Sequence, residues 1–348
     1  MKTGVVVLNF GEPSEPDESS VVAYLERIFR DNASLEDYDS EEAMRARSRE
    51  LAERRAPGLL EEYREIGGSP LNEQARAQAA ALEGELRDRG LDARTYTAMQ
   101  FTEPFVGAAV ERAREDGAER LVGLPVYPLC GQSTTVAALR ALAGTAREAG
   151  WEVELHEVTG WHRHPDYRQL RVDAIRDAAE SAGVELADPD TVLLFSAHGT
   201  PLKYVERGNR YVLYVRDHCD AVARELGVED YALGYQNHGN RGSVAWTQPD
   251  VEAVVESLDA ARVVVDPCSF MHEQSETLAE LDHDLREEAV ERGLAFHRVP
   301  VPHDDGRFAG VLADLVEEAL PDRPDRGLAA GSCRCRTAPS TTCLNASI

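Results

Sequence analysis

Short apolar runs rich in β-branched residues recur along this chain, each followed by a longer stretch of helical composition. No other feature restricts the fold as strongly. The runs cover residues 5–10, 121–127, 192–195, 262–265 and 295–301. Between them lie Ala-, Glu-, Leu- and Arg-rich segments at 72–89, 134–149, 165–182, 211–226 and 275–293. A strand that is apolar along its whole length is buried on both faces, and strands that alternate with helices assemble as parallel sheets covered by those helices. The pattern predicts an α/β chain. Its length, 348 residues, suits two lobes rather than one core. The expected lobes are residues 1–155 and 156–320, followed by a cysteine-bearing extension at 321–348. No period of 20 to 50 residues is visible, although the lobe pattern is weakly doubled. The extension is rich in Pro, Gly, Ser and Thr and holds three of the six cysteines. Composition reads as a disordered tail; cysteine density argues against that.

The 63 acidic and 37 basic side chains leave a formal charge of −26. Such a surface repels nucleic acid and anionic membranes. It tolerates a metal cation, but its first meaning is a solvated, soluble exterior. No run of about twenty apolar residues spans a membrane. The chain enters GVVVLNF after two residues, without the zones of a signal peptide, which predicts the cytoplasm. Thiols are reduced there, so the cysteines are expected to be free, catalytic or metal-bound rather than paired.

Chemistry concentrates where strands end. In LLFSAHGTP an apolar run stops at His198, followed by Gly and Pro. Ligands of α/β sheets sit beyond the carboxyl ends of strands, and a histidine there can take protons or bind metal. The plainer reading is a histidine that caps a strand. In SFMHEQSETLAELDHDL, residues Glu273, Glu276, Glu280 and Asp284 are spaced by three and four, one face of an α-helix. A line of carboxylates can conduct a hard cation; it can equally be an acidic solvated face. The preceding apolar run ARVVVDPCSF sets this helix at another strand end. LNFGEP, EYREIGGSPLNEQ and GYQNHGNRGSVAWTQP are further turns bearing Gly or Pro.

In this order, LNFGEP, YREIGGSPL, YPLCGQSTT, FSAHGTP, YQN with its downstream Trp and Pro, and SETLAELD resemble the signature blocks of the ferrochelatases. The resemblance runs from about residue 3 to residue 318. It implies two Rossmann-like lobes enclosing a porphyrin cleft, and ferrous iron as substrate. It makes His198 the active-site histidine and Glu276 its partner glutamate on the opposite wall, with Glu273 and Glu280 on the iron path. Removing two pyrrole protons and admitting a metal suits a histidine and a carboxylate. Which group binds iron and which moves protons stays open. Phe10, Arg27, Arg30, Tyr63, Ser69 and Thr135 match porphyrin-contacting positions. Two departures stand out. Gln274 occupies the place of a relay histidine, and Phe10 can pack on the macrocycle but cannot ligate a metal.

Relatives that associate with membranes have an apolar lip before the GGSP block. Here the stretch reads EEAMRARSRELAERRAPGLLEEY, dominated by charge. That favours the tetracarboxylate coproporphyrin III as substrate, its carboxylates paired by arginine, over the greasier protoporphyrin IX. Some family members hold a 2Fe–2S cluster with one internal and three C-terminal cysteines, which implies Cys130, Cys333, Cys335 and Cys343 as ligands. Cys219 and Cys268 read as small core residues. A porphyrin or haem carrier, or an iron–sulfur sensor, on the same fold is the non-catalytic alternative.

Overall fold

The computed structural model describes residues 1–237, 244–323 and 326–348. Among these residues the chain forms strands β1 (Thr3–Asn9), β2 (Ala93–Met99), β3 (Arg120–Pro125), β4 (Glu154–Val158), β5 (Thr191–His198), β6 (Ala232–Gln236), β7 (Arg262–Asp266), β8 (Ala295–Arg298) and β9 (Thr341–Thr342). One sheet has the order β2-β1-β3-β4-β9, the other β6-β5-β7-β8, and every pairing is parallel. Leaving β9 aside, the two orders are the same: the first strand lies between the second and the third. The weak doubling in the sequence is therefore a doubling of topology. In such a sheet successive connections leave the first strand in opposite directions. A crevice opens beyond β1 and β3 in one sheet and beyond β5 and β7 in the other, which is where α/β folds bind ligands.

The strands obey the burial logic that predicts them. All seven residues of β1, TGVVVLN, are buried. β7, RVVVD, is buried after its first residue. Strands β2, β4 and β6 were not expected. Their sequences ARTYTAM, ELHEV and ALGYQ mix polar with apolar residues because part of each strand is exposed or only half-buried. Helices Pro165–Ala182 and Tyr211–Leu226 keep their expected bounds. The first opens on Pro165, and the two end at the left-handed glycines Gly183 and Gly227. Segment 275–293 is not one α-helix: a π-helix, Glu276–Leu285, precedes a short α-helix, Arg286–Glu291. A second π-helix, Gln132–Val136, leads into Ala137–Glu148. π-turns are rare and collect at functional sites, and these two follow the switch-point strands β7 and β3.

The chain divides into two compact units, residues Met1–Trp161 with His303–Ile348, and His162–Pro302. The expected second lobe, 156–320, is corrected at both ends. Helix Gly306–Glu318 returns to the first unit because its buried face, Phe308, Val311, Leu312, Leu315 and Val316, packs there. Phe308 lies 6.1 Å from the Trp161 ring, and Arg89 bonds Asp314 at 2.5 Å and Glu317 at 3.0 Å. The cysteine-bearing extension is no loose tail. β9 pairs with β4, Arg336 forms an ion pair with the buried Glu157, and Asn345 donates to the Pro128 carbonyl. The core of the first unit gathers Val6, Leu8, Leu121, Leu139 and Leu142; that of the second gathers Leu194, Val255, Val263, Val265 and Leu281.

Candidate active site

The second unit brings the two principal sequence candidates together. His198 is the last residue of β5, and its backbone N–H donates to Ser269 Oγ at 2.7 Å. Its carbonyl accepts from the Tyr211 hydroxyl at 3.0 Å. Burial pushes the Tyr211 phenol well up, so it remains a donor. Gly199 follows because any Cβ there would overlap the Asn237 side chain and the Gln236 carbonyl. The imidazole is bounded edge-on by Phe270 at 6.3 Å and Trp246 at 6.4 Å. Its Nδ1 lies 2.9 Å from Glu276 Oε1. The expectation of opposite walls is thus corrected: histidine and glutamate are in direct contact, the ring 34% exposed and the carboxylate 15%.

Glu276 opens the π-helix, and its second oxygen receives the side-chain amide of Gln274. The residue at the relay-histidine position therefore still touches the carboxylate, as a donor that does not titrate. The loop before the π-helix is anchored from below. Asp266, at the end of β7, forms a fully buried ion pair with Arg171, which also donates to the Pro300 carbonyl at 2.8 Å. Cys268 N–H donates to the Ser196 carbonyl at 3.0 Å. Ser269 and Phe270, the neighbours of His198, follow immediately.

The acidic line does not stay uniform. Glu273 lies 3.0 Å from Arg298 and accepts from Thr277 at 2.6 Å, so its charge is balanced. Arg298 also pairs with Asp282. Glu280 accepts from the side-chain amide of Gln236 at 3.1 Å. Gln236 lies in the YQN block, where nothing in the sequence marks it as a site residue. Residues 238–243 of that loop lie outside the described residues.

In the first unit, Phe10 follows β1, half-buried against Phe101 at 4.6 Å and Tyr24 at 6.3 Å. Gly11 has a φ of 82° and no room for a Cβ beside Met99 and Thr102, so the chain turns sharply there. Arg27 and Arg30 are exposed; Arg27 donates to the Phe101 carbonyl and lies 5.0 Å over the Phe105 ring. Tyr63 and Thr135 are interior, 1% and 0% exposed, which corrects their expected place on a ligand-facing surface. Tyr63 donates to Glu12 Oε1 at 3.1 Å, and Ser69 bonds Glu12 Oε2. These hydroxyls hold a buried carboxylate under the LNFGEP turn. The signal for this role was Glu12 itself, a charge set between Gly11 and Pro13.

Cys130 follows β3, and three cysteines of the extension reach it. Its thiol hydrogen-bonds with Cys333 and Cys335, and Cys333 also bonds Cys343. These contacts push the Cys130 and Cys343 thiols up and hold Cys333 down. Cys219 and Cys268 lie apart from them, fully buried in the other unit. Among the described residues no group of three or more His, Cys, Asp or Glu is arranged to hold a single metal ion.

Residues 2–320 match the family model described as Ferrochelatase. The protein named Ferrochelatase from Synechococcus sp. (strain JA-3-3Ab) is 35% identical, covering 92% of this chain and 94% of its own. That of Synechococcus sp. (strain RCC307) is 34% identical over 92% and 83%, and that of Trichodesmium erythraeum (strain IMS101) 33% over 93% and 84%. Among solved structures, SirB from Bacillus subtilis with Fe3+ superposes with a TM-score of 0.53 at 10% identity, covering 91% of this chain and 95% of that one, a likeness of fold alone. The chain belongs to the ferrochelatase family, enzymes of haem biosynthesis that insert iron into a porphyrin.

Proposed function

We propose that this ferrochelatase inserts ferrous iron into coproporphyrin III, with His198 and Glu276 as the group that takes pyrrole protons and receives the metal. The contact between them carries the reading: a histidine at a switch-point strand end, 2.9 Å from a partly buried carboxylate. A neutral imidazole accepts a proton, and the adjacent carboxylate stabilises the resulting cation or the incoming iron. Glu280 extends the acidic side of the site. Glu273, balanced by Arg298, is left out of the iron path. Phe10 offers an aromatic face to the macrocycle, and Arg27 and Arg30 offer charges to its carboxylates.

The porphyrin assignment rests on the helix Glu41–Ile66. Its surface carries pairs such as Arg45–Glu41 and Arg49–Glu53, while its buried residues point inward. Exposed pairs of this kind are weak and open to exchange with a substrate carboxylate. Turnover of coproporphyrin III against protoporphyrin IX, with ferrous iron and purified protein, tests it. Preference for coproporphyrin is expected; equal or better use of protoporphyrin contradicts it.

A 2Fe–2S cluster on Cys130, Cys333, Cys335 and Cys343 belongs to the same proposal. Three thiols gathered around Cys333, with three of the four buried, are a donor set suited to iron and sulfide. When bound, it would supply cross-linking or sensing, since metal insertion needs no electron transfer. Anaerobically purified protein is expected to absorb in the visible and to contain iron and sulfide; a colourless protein lacking both contradicts the assignment.

A further inference from the structure

We propose that Ser269 and Tyr211 are positioning residues of metal insertion, clamping the backbone of His198 so that its imidazole is held against Glu276; this rests on the reading of His198 and Glu276 as the insertion site. The reason for a clamp lies in where the sheet stops. Successive residues of a strand inside a parallel sheet turn their backbone N–H and C=O to one neighbour and then to the other. Ser196 serves the β7 side, its carbonyl accepting from the Cys268 N–H at 3.0 Å. Gly199 serves the β6 side, donating to the Gln236 carbonyl at 2.7 Å. His198 therefore faces the β7 side, beyond the last register pair of β5 and β7, Phe195 with Asp266. Side chains take the place of the strand there. Ser269 Oγ accepts from the His198 N–H at 2.7 Å, and the Tyr211 hydroxyl donates to the His198 carbonyl at 3.0 Å.

Both partners are fixed by their own elements. Tyr211 is the first residue of helix Tyr211–Leu226 and is buried. Ser269 stands between the buried Cys268 and Phe270, and its hydroxyl is hydrogen-bonded to the Tyr211 phenol. The donor directions close without conflict: His198 N–H to Ser269, the Ser269 hydroxyl to Tyr211, the Tyr211 hydroxyl to the His198 carbonyl. Each hydroxyl donates once and accepts once, and linked donors of this kind strengthen one another. With both backbone groups of His198 held, its Cα–Cβ bond keeps one direction. The ring then turns only about its side-chain torsions, between Phe270 at 6.3 Å and Trp246 at 6.4 Å. Nδ1 is left 2.9 Å from Glu276 Oε1. A misplacement of about 1 Å breaks such a contact and can cost a catalyst about a hundredfold in rate. Ser269 also lies seven residues before Glu276, so the clamp ties the histidine to the segment that carries its partner.

Tyr211→Phe removes one hydroxyl and keeps the ring; Ser269→Ala removes the other with little change of volume. The two single variants and the double variant are compared with the parent full-length enzyme for kcat and for the KM of porphyrin. Thermal melts identify any variant that fails to fold. The setting of the imidazole is read separately, by nitrogen NMR at fixed pH on protein labelled in its histidines, the His198 signal being the one absent from His198→Ala. Each single variant is expected to lose about tenfold to a hundredfold in kcat, with an unchanged porphyrin KM and a displaced His198 Nδ1 signal. The double variant should lose about as much as one single variant, because either hydroxyl opens the same clamp. Parent kcat or an unmoved Nδ1 signal in the folded single variants overturns the proposal, as do losses that multiply in the double variant or a porphyrin KM that rises while kcat stays. His198→Ala and Glu276→Ala are run alongside. If either inserts iron at the parent rate, the insertion site itself is wrong, and the Nδ1 signal still reports whether the clamp holds the ring.

Discussion

Single atoms decide most of what this site can do. The imidazole of His198 is held through its backbone by Ser269 and Tyr211, and Glu276 by Gln274 and the ring itself. Such supports hold a reactive pair in one geometry, which is what proton transfer and metal capture require. The hydroxyls beneath the LNFGEP turn are of another kind. Tyr63 touches a buried carboxylate, not a surface, so Tyr63→Phe leaves Glu12 short of a donor. It should cost about 1–3 kcal/mol of stability, read from denaturant melts, while the porphyrin KM stays unchanged. A changed KM with unchanged stability would return Tyr63 to the ligand-contacting set.

Elements differ in how far the sequence reveals them. β1 and β7 were visible because Val5 to Leu8 and Val263 to Val265 are apolar on both faces. β2 and β6, at sheet edges, carry polar residues and lack that signature. The π geometry of Glu276–Leu285 was invisible, since spacing by three and four fits an α-helix equally well. His198 and Glu276 were legible through strand-end placement; Gln236 was not, because a buried amide has no motif of its own. β9 was hidden by its Thr and Ser composition, though it is anchored by a buried charge. Arg336→Met strips Glu157 of its partner, and breaking a buried pair costs about 3–5 kcal/mol. Residues 326–348 should then become the first site of protease cleavage in a time course. Unchanged resistance there would mean that strand pairing alone holds the extension.

Across the whole molecule, the two units should answer acid differently. In the second unit His218 is fully buried and His162 nearly so, and burial depresses both below the ordinary histidine value of 6.5, His162 despite its bond to Asp217. Below that pH the unfolded chain binds protons that the folded unit refuses, so stability is lost as pH falls through the histidine range, by up to about 1.4 kcal/mol per pH unit for each group. In the first unit Glu317 is lowered: burial raises it, but Arg323, Arg326 and Arg89 more than offset that. Its contribution is present above the ordinary carboxylate range and lost only below it. Hydrogen exchange between pH 7 and 5 should therefore show the second unit opening first, and His218→Phe, which removes one buried titrating ring, should flatten that slope. Simultaneous opening would contradict this ordering.

The central claim is that His198 and Glu276 act as one group in metal insertion. The most direct measurement is the rate of iron insertion by His198→Ala and Glu276→Ala made separately, with porphyrin binding followed by fluorescence quenching. Each variant should lose at least about a hundredfold in rate while binding porphyrin as tightly as the parent. A variant that binds porphyrin and inserts iron near the parent rate would contradict the account.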